Sequence, residues 1–155
     1  MNGLYLMIAL ISGTGLAAQV AINSRLSAGL GSQPVVASMF SFAVGTLCLL
    51  VISYFVTDWQ TVAVDASKQP WWRWVGGAIG AVFVTTSIYL SPKIGVSNTV
   101  FLFIIGQLFM GMAIDHFGWL EMPVRPLYWW KLTGMAVMML GLSLFMFGER
   151  WCGRS

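Results

Sequence analysis

Charge is what this 155-residue sequence has least of: Asp, Glu, Lys and Arg make up 8% of it, against 58% hydrophobic residues. With a mean hydropathy of +0.81, the chain has too little polar surface to solvate a globular domain, so its solvent is lipid. Cysteine is scarce too. Cys48 and Cys152 stand without paired or metal-ligand spacing, so neither a disulfide framework nor a zinc site follows, and the redox compartment is left open. His116 is the single histidine, and no nucleophile motif surrounds any Ser or Cys. A catalytic triad therefore has no basis, the chain does not read as an enzyme, and no cofactor is implied. The net charge of +3 comes from residues scattered near segment ends rather than gathered in runs, which gives nucleic-acid binding no footing. No Lys or Arg precedes the first apolar run, and that run is too long for a signal peptide core, so it is expected to stay in the mature protein.

What is present is a series of long apolar runs. A membrane-crossing helix needs roughly 20 apolar residues, because about 30 Å of hydrocarbon is covered at about 1.5 Å per residue. Five runs qualify, predicting spans at residues 3–24, 34–57, 71–90, 97–117 and 129–149 of one all-α integral membrane domain. Polar or turn-forming stretches separate them: Ser27 to Pro34, Asp58 to Pro70, Ser91-Pro92-Lys93-Ile94-Gly95, and Gly118 to Pro126. The eight tryptophans all fall near these boundaries and none at a span centre, as an interfacial aromatic belt requires.

Five spans put Lys68, Arg73, Arg125 and Lys131 on one membrane face and Arg25, Lys93, Arg150 and Arg154 on the other. Orientation normally follows an excess of Lys and Arg on the cytoplasmic side. A tie of four against four predicts a chain that inserts either way round, unless one charge near the first span decides the matter.

No ionisable residue lies at the middle of any span, which argues against a carboxylate-coupled proton or ion path. Neutral polarity in stripes remains. Ser12, Gly15, Gln19 and Asn23 share a face of span one, and Gln107, Gly111 and Asp115 share a face of span four. Amides in hydrocarbon need partners, so Gln19, Asn23 and Gln107 face either a wet chamber or neighbouring helices that they glue together. Ser41 accompanies Ser38, Gly45 and Cys48 along span two, and span three presents Gly76, Gly80, Val84 and Ser87. Asp115 and His116 sit near an interface and diverge by about 100° around the helix. They read either as a snorkelling pair or as residues for gating or coupling. Gly134, Gly141 and Gly148, at intervals of seven on span five, predict a close helix contact across a subunit boundary.

Several pieces taken in order resemble the drug/metabolite transporter superfamily in its single-repeat, YdcZ-like branch. They are Gln19-x-x-x-Asn23, Gly31-Ser32-Gln33-Pro34 leading to Ser41-Phe42-x-x-Gly45, and Pro70-Trp71-Trp72 before Gly76-Gly77. Ser91-Pro92-Lys93-x-Gly95, Gly106-Gln107 through Asp115-His116-Phe117-Gly118, and Arg125-Pro126 before Gly134 continue the match over nearly the whole chain. The resemblance implies a five-helix unit equal to half of a ten-helix bundle of inverted repeats, which one repeat rebuilds by pairing with an upside-down copy. The smaller multidrug relatives use a glutamate in the first helix. This chain has none there, so their proton exchange is not carried over.

The expectation is then a multi-pass protein of the bacterial cytoplasmic membrane, a small-molecule transporter working as an antiparallel homodimer by alternating access. Its substrate would meet Gln19, Asn23, Ser41, Gln107 and Gly111, and neutral amides suit a small polar or amphipathic metabolite. The rival readings are a structural or adaptor helix bundle, or one half of a transporter completed by a separately encoded partner.

Overall fold

The structure is a computed structural model that describes residues 3–151 and 153. Among the described residues all regular structure is helical: α1 (Gly3–Gly29), α2 (Pro34–Val56), α3 (Trp59–Ala66), α4 (Gly76–Ile94), α5 (Val96–Phe117) and α6 (Trp129–Trp151). Short 3-10 turns at Trp71–Trp74 and Trp119–Glu121 precede α4 and follow α5. Five segments are long and apolar enough to cross a membrane: Gly3–Gly29, Pro34–Val56, Trp71–Ile94, Val96–Phe117 and Trp129–Gly148. This is the five-span all-α architecture that hydropathy predicts. The tryptophans at 59, 71, 72, 74, 119, 129, 130 and 151 lie at helix ends or in the 3-10 turns, where an amphipathic ring meets lipid and water together.

Three of the differences from the expected boundaries have a clear local cause. α1 continues to Gly29 rather than stopping at residue 24, because Arg25, Leu26 and Ala28 are good helix formers and the chain has no reason to stop there. It is stopped at Gly31, whose φ of 71° only glycine adopts freely. The Ser32 N–H then donates to the Ser27 carbonyl at 2.9 Å, the long bond of a Schellman cap. Helix α4 runs through Pro92 to Ile94 instead of ending at residue 90. A proline in the last turn removes one ladder bond and leaves the rest intact, and Gly95, at φ 88°, terminates the helix. Third, the stretch from Asp58 to Pro70, expected as a plain connection, contains α3. The Asp58 carboxylate starts it by accepting from the Gln60 N–H at 3.1 Å and the Thr61 hydroxyl at 2.6 Å.

The chain divides into two compact units, Met1–Val96 and Ser97–Ser155. In the first, α1, α2 and α4 pack on one another, and their buried residues lie toward the end where α1 finishes and α2 begins. On α1 these are Val20, Asn23 and Ser27; on α2, Ala37 and Ser38; on α4, Val84, Ser87, Ile88 and Ser91. Ala37 is fully buried against Val84 and Ile88, with Phe83 alongside. Small and hydroxylated residues permit this approach, as expected where lipid gives helices no water-driven reason to associate. Among the described residues, the glycines of these helices differ in how closely they are approached. A Cβ at Gly15, Gly45 or Gly76 would meet nothing within 4 Å, whereas one at Gly80 would meet the Phe42 ring at 3.5 Å.

In the second unit, a loop joins α5 to α6 and folds back on the end of α5. The Arg125 N–H donates to the Asp115 carbonyl at 2.7 Å, and the Leu127 N–H donates to His116 Nδ1 at 3.3 Å. Phe117 stacks on Trp119, and Tyr128 stacks on Trp130. The rings of Phe101 on α5 and Phe145 on α6 meet with centroids 4.9 Å apart.

Candidate functional site

The C-terminal half of α1 presents Gly15, Gln19, Ile22 and Asn23 toward the first turns of α2, because spacings of three and four return a side chain to the same helix face. Between the two helices lies an open cleft of about 550 Å³, whose wall is completed by Phe40, Ser41 and Val44 from α2. Three of the residues singled out from the sequence for substrate contact, Gln19, Asn23 and Ser41, therefore line one cavity. Its remaining wall is hydrocarbon, apart from the aromatic face of Phe40.

Asn23 is the informative member. It is only 4% exposed, and its Nδ2 has no hydrogen-bond partner among the described residues. A buried donor left unpaired costs about 1–3 kcal/mol, and such groups are rare in folded proteins unless something else pairs with them. Among the described residues of this chain, no neighbouring helix supplies that donor with an acceptor. Gln19, one turn earlier, is exposed and also makes no bond to the described residues. Ser41 is half-buried opposite them. The arrangement offers amide donors and acceptors and one hydroxyl within an otherwise apolar cleft that carries no charge. It can hold a solute by a few directed hydrogen bonds and a large hydrophobic contact.

Gln107 and Gly111 are exposed on α5, in the second unit, and a Cβ at Gly111 would meet nothing within 4 Å. Asp115 is half-buried, and its contribution to the fold is its backbone carbonyl. His116 uses its ring as an acceptor for the loop, and its edge also rests on Phe117. Both residues thus fasten the α5–α6 loop. On α6, Gly134 and Gly141 are exposed with nothing within 4 Å of an added Cβ, and Gly148 meets only its own helix at Leu144. The buried positions of that helix, Met135 and Leu142, fall one residue later and so about 100° away. Cys48 is exposed on α2. Cys152 and Arg154 lie outside the described residues.

Sequence comparison gives this geometry its context. The profile of the family described as "Putative inner membrane exporter, YdcZ" matches residues 4–144. The chain belongs to the YdcZ family. It is 25% identical over 143 residues to the protein named Inner membrane protein YdcZ of Escherichia coli (strain K12), covering 92% of this chain and 95% of that one. No solved structure matches. Membership in the YdcZ family makes the chain a multi-pass inner-membrane transport protein, and the family is not one of enzymes. The resemblance read from the motifs and this match agree, and the matched residues include both helices of the Gln19–Asn23 cleft.

Sequence reasoning passed over one pair of residues. Arg25 and Lys93 enter the charge count only as anchors on the same membrane face, yet they line a single second cleft. Their common face was legible from span parity. Their shared cavity needed the crossing of α1 and α4.

Proposed function

We propose that this chain is an exporter of small polar or amphipathic solutes, and that it works as an antiparallel homodimer in which the Gln19–Asn23–Ser41 cleft of each copy holds the cargo. The observation that carries this reading is the buried Asn23 amide, unpaired at the wall of an apolar cleft. A solute hydroxyl or carbonyl oxygen would accept its N–H, and the surrounding hydrocarbon would take the rest of the molecule. Gln107 and Gly111 add polar and open surface on α5, and the inverted-repeat principle has cargo sites at the interface between repeats near mid-membrane. The transport direction follows the family's description as exporters.

Two features support the pairing of inverted copies. Lys and Arg are balanced four against four between the two faces, which leaves insertion without a preferred direction. Among the described residues, the Gly134–Gly141–Gly148 face of α6 is bare at its first two positions, and a second helix fits closely against such a surface. Rocking between two equivalent forms of the dimer would then expose the cleft to each side in turn.

Two experiments test the proposal. Cells making the wild-type chain should release a small polar or amphipathic solute that cells making equal membrane amounts of Asn23→Ala do not, read by mass spectrometry of the medium. Identical profiles would end the assignment of the cleft. For topology, Cys48→Ser leaves Cys152 as the single thiol, and a membrane-impermeant maleimide applied to intact cells should label about half of the molecules. Labelling of nearly all or nearly none would rule out the dual insertion that the homodimer needs.

A further inference from the structure

The second cleft, of about 670 Å³, opens on the opposite face of α1, between its last turns and the C-terminal end of α4. The buried seam of Val20, Asn23 and Ser27 separates it from the amide cleft. Arg25 and Lys93 both line it, together with Ser24, Ser27, Ser91 and Tyr89, and no carboxylate does. Arg25 is exposed and has no hydrogen bond or ion pair among the described residues. Lys93 donates to the Tyr89 hydroxyl at 2.6 Å and lies 3.8 Å from that ring's centroid, which leaves its other ammonium protons uncommitted.

Cations at the C-terminal ends of membrane helices are common, since the helix dipole and the headgroup region both favour them. That accounts for each charge separately. It does not account for Ser91. This residue is 3% exposed in the cleft wall, and its hydroxyl has no partner among the described residues, although Ser87 one turn earlier gives its own hydroxyl to the Val84 carbonyl at 2.7 Å. Buried hydroxyls are nearly always paired, so an unpaired one in a wall that also carries two cations and no carboxylate marks a place where an external acceptor belongs.

We infer that this cleft binds a phosphate group. A guanidinium fork, an ammonium and several hydroxyls form a donor-rich set without an anion, which matches a tetrahedral oxyanion bearing several acceptor oxygens better than the two oxygens of a carboxylate. The volume far exceeds that of phosphate alone, so the group arrives esterified, either on a small solute or as a phospholipid headgroup. The cleft lies where α1 and α4 both end, the level at which either source is within reach. This site is independent of what the Gln19–Asn23 cleft carries.

The test uses the purified full-length chain in detergent with two probes. Glycerol 3-phosphate, with glycerol as its control, is followed by titration calorimetry. Phosphatidylglycerol, with an uncharged diacyl glycolipid as its control, is followed by native mass spectrometry. At least one phosphorylated probe should bind saturably while its control does not. Replacing Arg25→Gln together with Lys93→Gln should weaken binding about tenfold or more, and Ser91→Ala about threefold, the range of charge-assisted and neutral hydrogen bonds. Binding of the soluble probe alone assigns a solute, binding of the lipid alone assigns a headgroup, and binding of both assigns the shared phosphate. Neither probe exceeding its control, or unchanged affinity in the double variant, overturns the inference. If the double variant does not elute as a monodisperse helical protein, displacement from the wild-type chain decides: sulfate should displace the probe better than chloride at equal ionic strength, and equal displacement overturns the inference.

Discussion

Ser38 on α2 and Thr85 on α4 place their hydroxyl oxygens 2.8 Å apart. Ser38 spends its only proton on the Pro34 carbonyl at 2.9 Å, so Thr85 is the donor between the helices. The bond lies beside Ala37, at the tightest part of the first unit. Thr85→Val should destabilise the fold by about 0.6 kcal/mol, the average for interhelical hydrogen bonds in membranes. A double-mutant cycle with Ser38→Ala, read by unfolding in mixed micelles, should return a coupling of that size, and additive effects would show that the bond contributes nothing.

Ala37 has no exposed surface and touches Val84 and Ile88. Ala37→Leu should therefore cost about 1–3 kcal/mol by overpacking, seen as a lower thermal midpoint in detergent. Ala37→Gly should lose less, since it empties space instead of forcing α2 and α4 apart. A leucine as stable as the wild type would mean that the two helices separate freely.

Gly118 has a φ of 64°, and a Cβ there would come within 2.7 Å of Val124 Cγ2. Two penalties are stacked at one position: about 1–2 kcal/mol for placing an L-residue in the left-handed region, and a clash with the loop. Gly118→Ala should loosen residues 118–127 in hydrogen exchange. Adding Val124→Ala should restore part of the protection, because it removes the clash and not the backbone strain. Full restoration would show that strain is negligible there.

His116 holds the same loop by accepting from Leu127. If that is its main role, His116→Ala should raise exchange at Leu127 while leaving solute release by the cells near wild type. A loss of release with unchanged exchange would instead give His116 the coupling role that its place in the sequence also permitted.

Asp58 is held below its ordinary carboxylate pKa, chiefly by the Thr61 hydroxyl and then by the Gln60 N–H. A depressed folded-state value means that the ionised cap stabilises α3 fully above the ordinary pKa of 3.8, and that this support fades as pH falls through the lower folded value. α3 should therefore fray only in strongly acidic solution, whereas Asp58→Ala should fray it at neutral pH. Exchange at Gln60 and Thr61 measures both, and protection independent of pH and of the carboxylate would remove Asp58 as the cap.

The sequence by itself determined the membrane as solvent, the number of spans and their alternation, because about 20 consecutive apolar residues have only one stable way to cross oil. It also determined that Gln19 and Asn23 share a helix face, since helical period depends on nothing but local geometry. Only the tertiary structure decided where α1 and α4 stop, because Gly31 and Gly95 end them through backbone conformations that hydropathy does not register. Tertiary packing alone placed Ser41 opposite Asn23, and brought Arg25 and Lys93 to a common cleft from positions far apart in the chain. Which polar atoms remain unpaired is likewise a property of the packed helices: Ser87 and Ser91 are the same residue type one turn apart, and only their surroundings make one satisfied and the other not.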